Sequence, residues 1–269
     1  VLPAVLIAGV VVLGGMGMAL VQSLGLLPLV GEARLSADAF RSVGPDAWRA
    51  VGVSLGIASV STVLSTIIGF SAALVIAQGR WTGRLVAALG AATIPVPHLI
   101  GAAAIGLLVA DAGFLPRVLG VPGADWPELV GGPWWVAVIL EYTWKESAFI
   151  ALVVAGVLAT RVARYDETAA LLGASRARRL RHVVLPLARP ALIVCGVIIF
   201  VYTLGSYEVA WLLGRPFPEP LPVLAYRLFT AVSLTARPEA AAVAVITSLI
   251  ALIVVAIGML ALRRTPLWR

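Results

Sequence analysis

Six apolar stretches, each long enough for a helix to cross about 30 Å of hydrocarbon at 1.5 Å per residue, constrain this chain more than any other feature. They lie near Leu2 to Val21, Ala50 to Ala77, Leu85 to Ala110, Trp134 to Leu158, Ala191 to Leu213 and Ala240 to Leu262. No soluble core of 269 residues buries so much: 61% of the chain is hydrophobic, 12% is charged, and mean hydropathy is +1.03. The expected fold class is all-α, a polytopic membrane protein with six transmembrane helices in a single domain over 1–269. The first stretch reads as a span rather than a signal peptide, since it has neither a basic leader nor a small-residue cleavage site.

Charge sorts by membrane side. With the N-terminus inside, the inner segments hold twelve arginines: Arg80, Arg84, the seven from Arg161 to Arg189, and Arg263, Arg264 and Arg269. The outer segments hold seven, so the excess predicts that both termini are cytoplasmic. A formal charge of +7 distributed in this way marks membrane topology and gives no reason to expect nucleic acid. The lone Cys195 offers no disulfide framework, and His98 and His182 lack neighbours at metal-ligand spacing. Outer segments Gly25 to Trp48 and Asp111 to Pro133 read as interfacial helices or plugs at the mouth, with Trp126, Trp134 and Trp135 at headgroup level.

Several features fall inside the apolar stretches. Pro95 and Pro97 bend the third span beside His98, and Gly52 and Gly56 form a packing pair in the second. Glu141, Lys145 and Glu146 lie in the fourth span, where one ionisable side chain costs about 2.5 to 3.5 kcal/mol at the helix centre. Glu141 and Lys145, four apart, have the order of a helical ion pair. Glu208 lies near the outer end of the fifth span, after Ser206 and Tyr207.

The loop of about 159–189 is different. Asp166 and Glu167 suit the start of a helix and Arg176, Arg178, Arg179 and Arg181 its end, with Pro186 and Pro190 stopping it and restarting the chain as the next span. Gly173, on the side of Ala169 and Ala177, makes a small-residue face suited to another protein.

Glu167, Ala169, Gly173 six positions after the glutamate, nine intervening residues, then Val183, Leu185 and Pro186 resemble the EAA loop, E-A-A-x3-G-x9-I-x-L-P, of ABC-importer inner-membrane permeases. Thr168 and Val183 depart from the pattern conservatively. The loop's place between the fourth and fifth spans extends the resemblance over nearly the whole chain.

The resemblance implies a type I importer fold whose cytoplasmic coupling helix docks on a separate ATPase, with Glu167, Ala169, Ala170, Gly173, Ala174, Leu185 and Pro186 as coupling residues. It implies two cytoplasmic ABC ATPase subunits holding ATP and Mg, no cofactor on this chain, and an extracytoplasmic solute-binding protein. A second permease half is expected, read as a related chain rather than an identical copy. The setting is the bacterial inner membrane. No G-x-x-x-x-G-K-[ST] loop occurs in the sequence. A diffuse similarity around the fifth span points to the group serving spermidine, putrescine, thiamine and ferric iron. Three carboxylates against one lysine give the outer pathway, with Glu141, Lys145, Glu146, Ser206, Tyr207 and Glu208, a negative charge suited to a polyamine. The competing expectation is a self-sufficient secondary transporter or channel, supported by the intramembrane charges but leaving the loop without a role.

Overall fold

The computed structural model describes residues 2–159 and 163–265. Arg161 and Arg269 of the expected inner charge, and part of the 159–189 loop, lie outside the described residues.

Helix α1 spans Leu2–Ser23 and α2 spans Asp38–Ala77. At 40 residues α2 is about 60 Å long, twice a hydrocarbon core. It absorbs the patch expected as a separate interfacial helix: α2 runs on through Pro45, which lies inside it and forfeits one backbone hydrogen bond. Its inward stripe is small: Ala47, Ala50, Ser54, Ala58, Ser61, Ser65, Gly69 and Ala73 recur at intervals of three or four residues. Such a stripe lets another backbone come close. The helix that does so is α6, Val136–Val157.

Around this central pair the chain places α3 (Trp81–Thr93), α4 (His98–Val109), α5 (Phe114–Leu119), α7 (Ala163–Leu171), α8 (Arg176–Arg179), α9 (Leu185–Gly205), α10 (Glu208–Leu213), α11 (Leu221–Phe229) and α12 (Arg237–Arg263). α9 and α12 pack on α2, and α1 lies outside against α12 with most of its apolar surface uncovered. That surface suits lipid.

Among the described residues three apolar clusters hold the bundle. At one end Ile57, Ile105, Trp135, Tyr142, Val209 and Leu213 join α2, α4, α6 and α10. At the other, Ala73, Ile150, Val154, Ala188 and Ile199 join α2, α6 and α9. Val43, Ala47, Leu221, Leu224 and Val243 seat α11 and α12 on the first half of α2.

Among the described residues five helical stretches are long and apolar enough to cross a membrane: Val5–Ser23, Asp38–Ala77, His98–Leu119, Arg176–Gly205 and Leu234–Arg263. α6 has the length, at 22 residues, but carries Glu141, Lys145 and Glu146. Two expected spans are interrupted. The stretch Leu85 to Ala110 divides into α3 and α4 between Ile94 and Pro97, and Ala191 to Leu213 divides into α9 and α10 at Ser206 and Tyr207. Trp135, expected at headgroup level, is instead buried in the core with a φ of 56°, and Trp126 closes α4 by donating from Nε1 to the Val109 carbonyl at 2.8 Å. Trp134 remains exposed.

Candidate functional site

The first site forms where α3 stops. Pro95 and Pro97 have no N–H to give, so carbonyls at the end of α3 lose their helical donors. Lys145 of α6 supplies one: its Nζ donates to the carbonyls of Thr93 at 2.8 Å, Ile94 at 3.4 Å and Val96. An ammonium here also meets the negative end of the α3 dipole.

The expected Glu141–Lys145 ion pair is therefore not what forms. Several convergent carbonyls offer the ammonium a fuller shell than one carboxylate on its own helix, and Glu141 finds another partner. Pro97 is the residue before α4, which makes His98 the first residue of that helix. His98 Nδ1 lies 3.1 Å from Glu141 Oε1, and its Nε2 lies 3.5 Å from Glu146 Oε1. Gly101, one turn on, leaves room for the carboxylate; a Cβ there would approach Glu141 Oε1 to 2.8 Å. Glu141, Lys145 and Glu146 are all buried.

α9 completes this cluster. The Tyr202 ring centroid is 4.9 Å from that of His98, and Tyr142 is 6.0 Å from it on the α6 side. Among the described residues, Tyr142 Oη, Thr203 Oγ1 and Ser206 Oγ are buried with no hydrogen-bond partner. Ser206 ends α9 in an extended conformation and Glu208 opens α10. Of the six residues expected along the pathway, Glu141, Lys145, Glu146 and Ser206 are thus buried at the helix breaks. Tyr207 turns away to stack on Tyr226 at 4.7 Å. Glu208 is half-buried, and among the described residues no ion pair joins it to Arg215. His98 was missed as a site residue; the Pro-x-Pro-His order, which puts it at the head of a new helix, was the available signal.

The second site is the arginine-rich loop. Asp166 falls in the first turn of α7, as expected, but the helix ends at Leu171, well before the arginines. Gly173 has a φ of 81°, its N–H donates to the Ala170 carbonyl, and Ala174 N–H donates to the Ala169 carbonyl, both at 3.0 Å. This paired closure is a Schellman turn, and the left-handed residue within it favours glycine. A Cβ on Gly173 would meet nothing within 4 Å, so its place is set by conformation and not by a packed small-residue face within this chain.

Ser175 then caps α8, accepting from Arg178 N–H at 3.4 Å, so Arg176, Arg178 and Arg179 begin a helix where they were expected to end one. Nor do Pro186 and Pro190 stop it. A wide turn over Leu180–Val184, in which Leu185 N–H reaches back five residues to the Leu180 carbonyl, makes room ahead of Pro186, and the helix continues into α9. Arg179 Nη1 bonds Asp166 Oδ2 at 2.9 Å and ties α8 back to α7. Glu167, Ala170, Gly173, Leu185 and Pro186 are exposed, and Ala169 and Ala174 are half-buried. The most exposed apolar side chains of the loop are Leu171 and Leu172, at 89% and 83%.

A bundle with two interrupted spans, buried charge at one break and a capped short helix between α6 and α9 defines a transporter-like membrane chain. Its fold is that of a chain in the crystal structure of a bacterial ABC transporter involved in import of the acidic polysaccharide alginate, with a TM-score of 0.74 at 20% identity over 98% of this chain and 94% of that one. Residues 65–264 match the binding-protein-dependent transport system inner membrane component family, and the chain belongs to that family. Similar curated relatives include the molybdenum transport system permease protein ModB of Mycobacterium tuberculosis, 29% identical over 166 residues, or 61% of this chain and 60% of that protein. The sulfate transport system permease protein CysT of Salmonella typhimurium is 27% identical over 201 residues, 74% of this chain and 71% of that one. The chain thus spans about 60% of the length of ModB.

Proposed function

We propose that this chain is one permease half of an ATP-driven importer in a bacterial inner membrane. Its six crossings are α1, α2, α3 with α4, α6, the run from α8 to α10, and α12. The observation that carries the reading is α7: a short helix closed by Gly173, tied down by Asp166 and Arg179, and presenting Leu171 and Leu172 almost uncovered by the described residues. Paired apolar side chains this exposed, on a fixed turn between two spans, suit a groove in another protein. That partner is a cytoplasmic ABC ATPase, two copies of which hold ATP and Mg, and α7 is the coupling helix. The arginine excess at this end supports a cytoplasmic loop and cytoplasmic termini. A second permease, read as a related chain, completes the pathway, and an extracytoplasmic binding protein delivers the solute on the side of α5 and α11.

The test is purification of the tagged chain with its neighbours, compared with a Leu171→Asp/Leu172→Asp variant. The expected result is an ATPase that co-purifies with the wild type and is lost from a variant that still inserts and melts normally. ATP-independent uptake by the chain alone in proteoliposomes would instead establish the secondary transporter or channel reading.

For the solute, the polyamine expectation rested on a diffuse similarity around the fifth span and on three carboxylates against one lysine. His98 now stands between Glu141 and Glu146, which leaves Glu208 as the carboxylate of the three without a cationic neighbour among the described residues. Two similar proteins are named for molybdenum and sulfate. The proposal is therefore a small solute, with labelled molybdate, sulfate, putrescine and spermidine compared in the complete assembly. Polyamine uptake reduced in Glu208→Gln would support the cationic reading, and oxyanion uptake alone would discard it.

A further inference from the structure

The half-buried histidine at the head of α4 has a geometry that a simple structural pair does not need. Its two ring nitrogens face two different carboxylates of α6: Nδ1 is hydrogen-bonded to Glu141 at 3.1 Å, and Nε2 lies at the longer ion-pair distance of 3.5 Å from Glu146. These residues are five apart, so the imidazole bridges the side of α6 rather than meeting one point on it. An imidazolium has two N–H donors, one for each carboxylate. A neutral imidazole has one, and its other nitrogen then turns a lone pair toward an anion. Proton occupancy therefore decides whether α4 is held at two points or at one.

The other groups around the ring do not replace that proton. On α6, Lys145 is committed to the carbonyls that end α3, and Tyr142 contributes a ring and an unpartnered hydroxyl. On α9, Tyr202 lies against the imidazole. α10, which packs on α4, opens with Glu208, adding negative charge and no donor. At the far end of α4, Arg117 of α5 is occupied by the Gly113 carbonyl.

We propose that His98 is a proton-dependent clasp between α4 and α6: protonated, it fastens the head of α4 to both Glu141 and Glu146, and deprotonated, it releases one of them. Because the backbone before His98 is already broken at Pro95 and Pro97, release changes the tilt of α4 without disturbing a continuous helix. The clasp is independent of which solute is carried and of which ATPase is bound.

The experiment measures the distance between spin labels at Leu107 on α4 and Trp134 before α6, both exposed, in a Cys195→Ala background of the full chain with its co-purifying partners in lipid nanodiscs. Spectra are taken between about pH 5 and 8, the window in which a histidine changes charge. Wild type is expected to show two distance populations whose ratio changes by about fivefold across that window, the scale set by one hydrogen bond. His98→Gln, whose amide keeps the same NH2 donor group and carbonyl acceptor at every pH, is expected to lose the change. Glu146→Gln should flatten it too, because an amide can accept from N–H or donate to a lone pair alike. A wild-type distribution that does not respond to pH overturns the proposal, as does a full response in His98→Gln. If His98→Gln fails to assemble, Glu146→Gln decides alone, and a full response there is equally fatal. The readout needs neither ATP nor solute, so its failure is separate from failure of the importer reading.

Discussion

Gly69 of α2 is the seat of Ile150 of α6: a Cβ built on the glycine would lie 2.6 Å from the isoleucine Cβ and 2.7 Å from the Ser147 carbonyl oxygen. Ile150 is fully buried, and the two helices form the central pair of the bundle. Gly69→Ala must push them apart, at a cost of about 1–3 kcal/mol. Its melting temperature in detergent is expected to fall. Gly56→Ala is the matched control, since a Cβ there meets nothing within 4 Å, and should melt with the wild type or slightly above it.

Gly173 should tolerate change in proportion to what the left-handed conformation allows. Gly173→Leu faces a cost of about 1–2 kcal/mol for the backbone alone, while Gly173→Asn faces less. Insertion and thermal stability are expected to survive in both, and ATP-driven uptake to fall in the order wild type, Asn, Leu. Uptake in the leucine variant at the wild-type rate would remove α7 from the coupling role.

Lys145→Met leaves the Thr93, Ile94 and Val96 carbonyls without their ammonium donor. Thr93 keeps the Val96 N–H at 3.2 Å, while the Ile94 and Val96 carbonyls lose the ammonium, and a buried acceptor left unmet costs about 1–3 kcal/mol. The variant should assemble in lower yield and melt earlier. A double-mutant cycle between His98 and Glu141 is expected to show stronger coupling than one between Lys145 and Glu141; the reverse order would restore the ion pair first expected from the sequence.

On the α11 side, Arg227 reaches back to Glu219, with Nη2 2.6 Å from Oε1. The pair is lopsided: the arginine side chain is 57% exposed and the glutamate 8%. The hydrogen bond that Arg227 donates to the Glu219 carboxylate is the main influence holding the guanidinium to its proton, raising its pKa above the ordinary value. Arg227→Met strands a buried carboxylate, whereas Glu219→Gln leaves an arginine that solvent can satisfy. Melting should therefore drop further in Arg227→Met, and equal drops would mean that the two side chains contribute only as packing.

The spans were legible because length and apolarity are written locally. Residues Leu2 to Val21 and Ala240 to Leu262 reappear almost unchanged as α1 and α12. The breaks were not legible as breaks. Pro95 and Pro97 signalled a bend, but the ammonium that lets the helix part completely comes from Lys145, some fifty residues away. Neither could spacing along one helix show that Glu141 would prefer His98 over its neighbour four residues on, since that choice depends on which helix packs alongside. In the loop the residues of the EAA pattern were found and the fold of the pattern was not. Whether Gly173 packs or turns depends on φ, which a residue's name permits but does not fix.

α6 also bears on how such a chain is made. Three charged side chains within six positions, each costing about 2.5–3.5 kcal/mol near the centre of a helix, make it a poor candidate for entering a bilayer unaided. Its ammonium is satisfied by the end of α3 and one carboxylate by the head of α4, and both elements precede it in the chain. Biosynthesis thus delivers the partners first, and α6 leaves the insertion machinery as the second half of a polar handshake already waiting in the membrane. The order of the genetic message is itself part of how this helix becomes soluble in lipid.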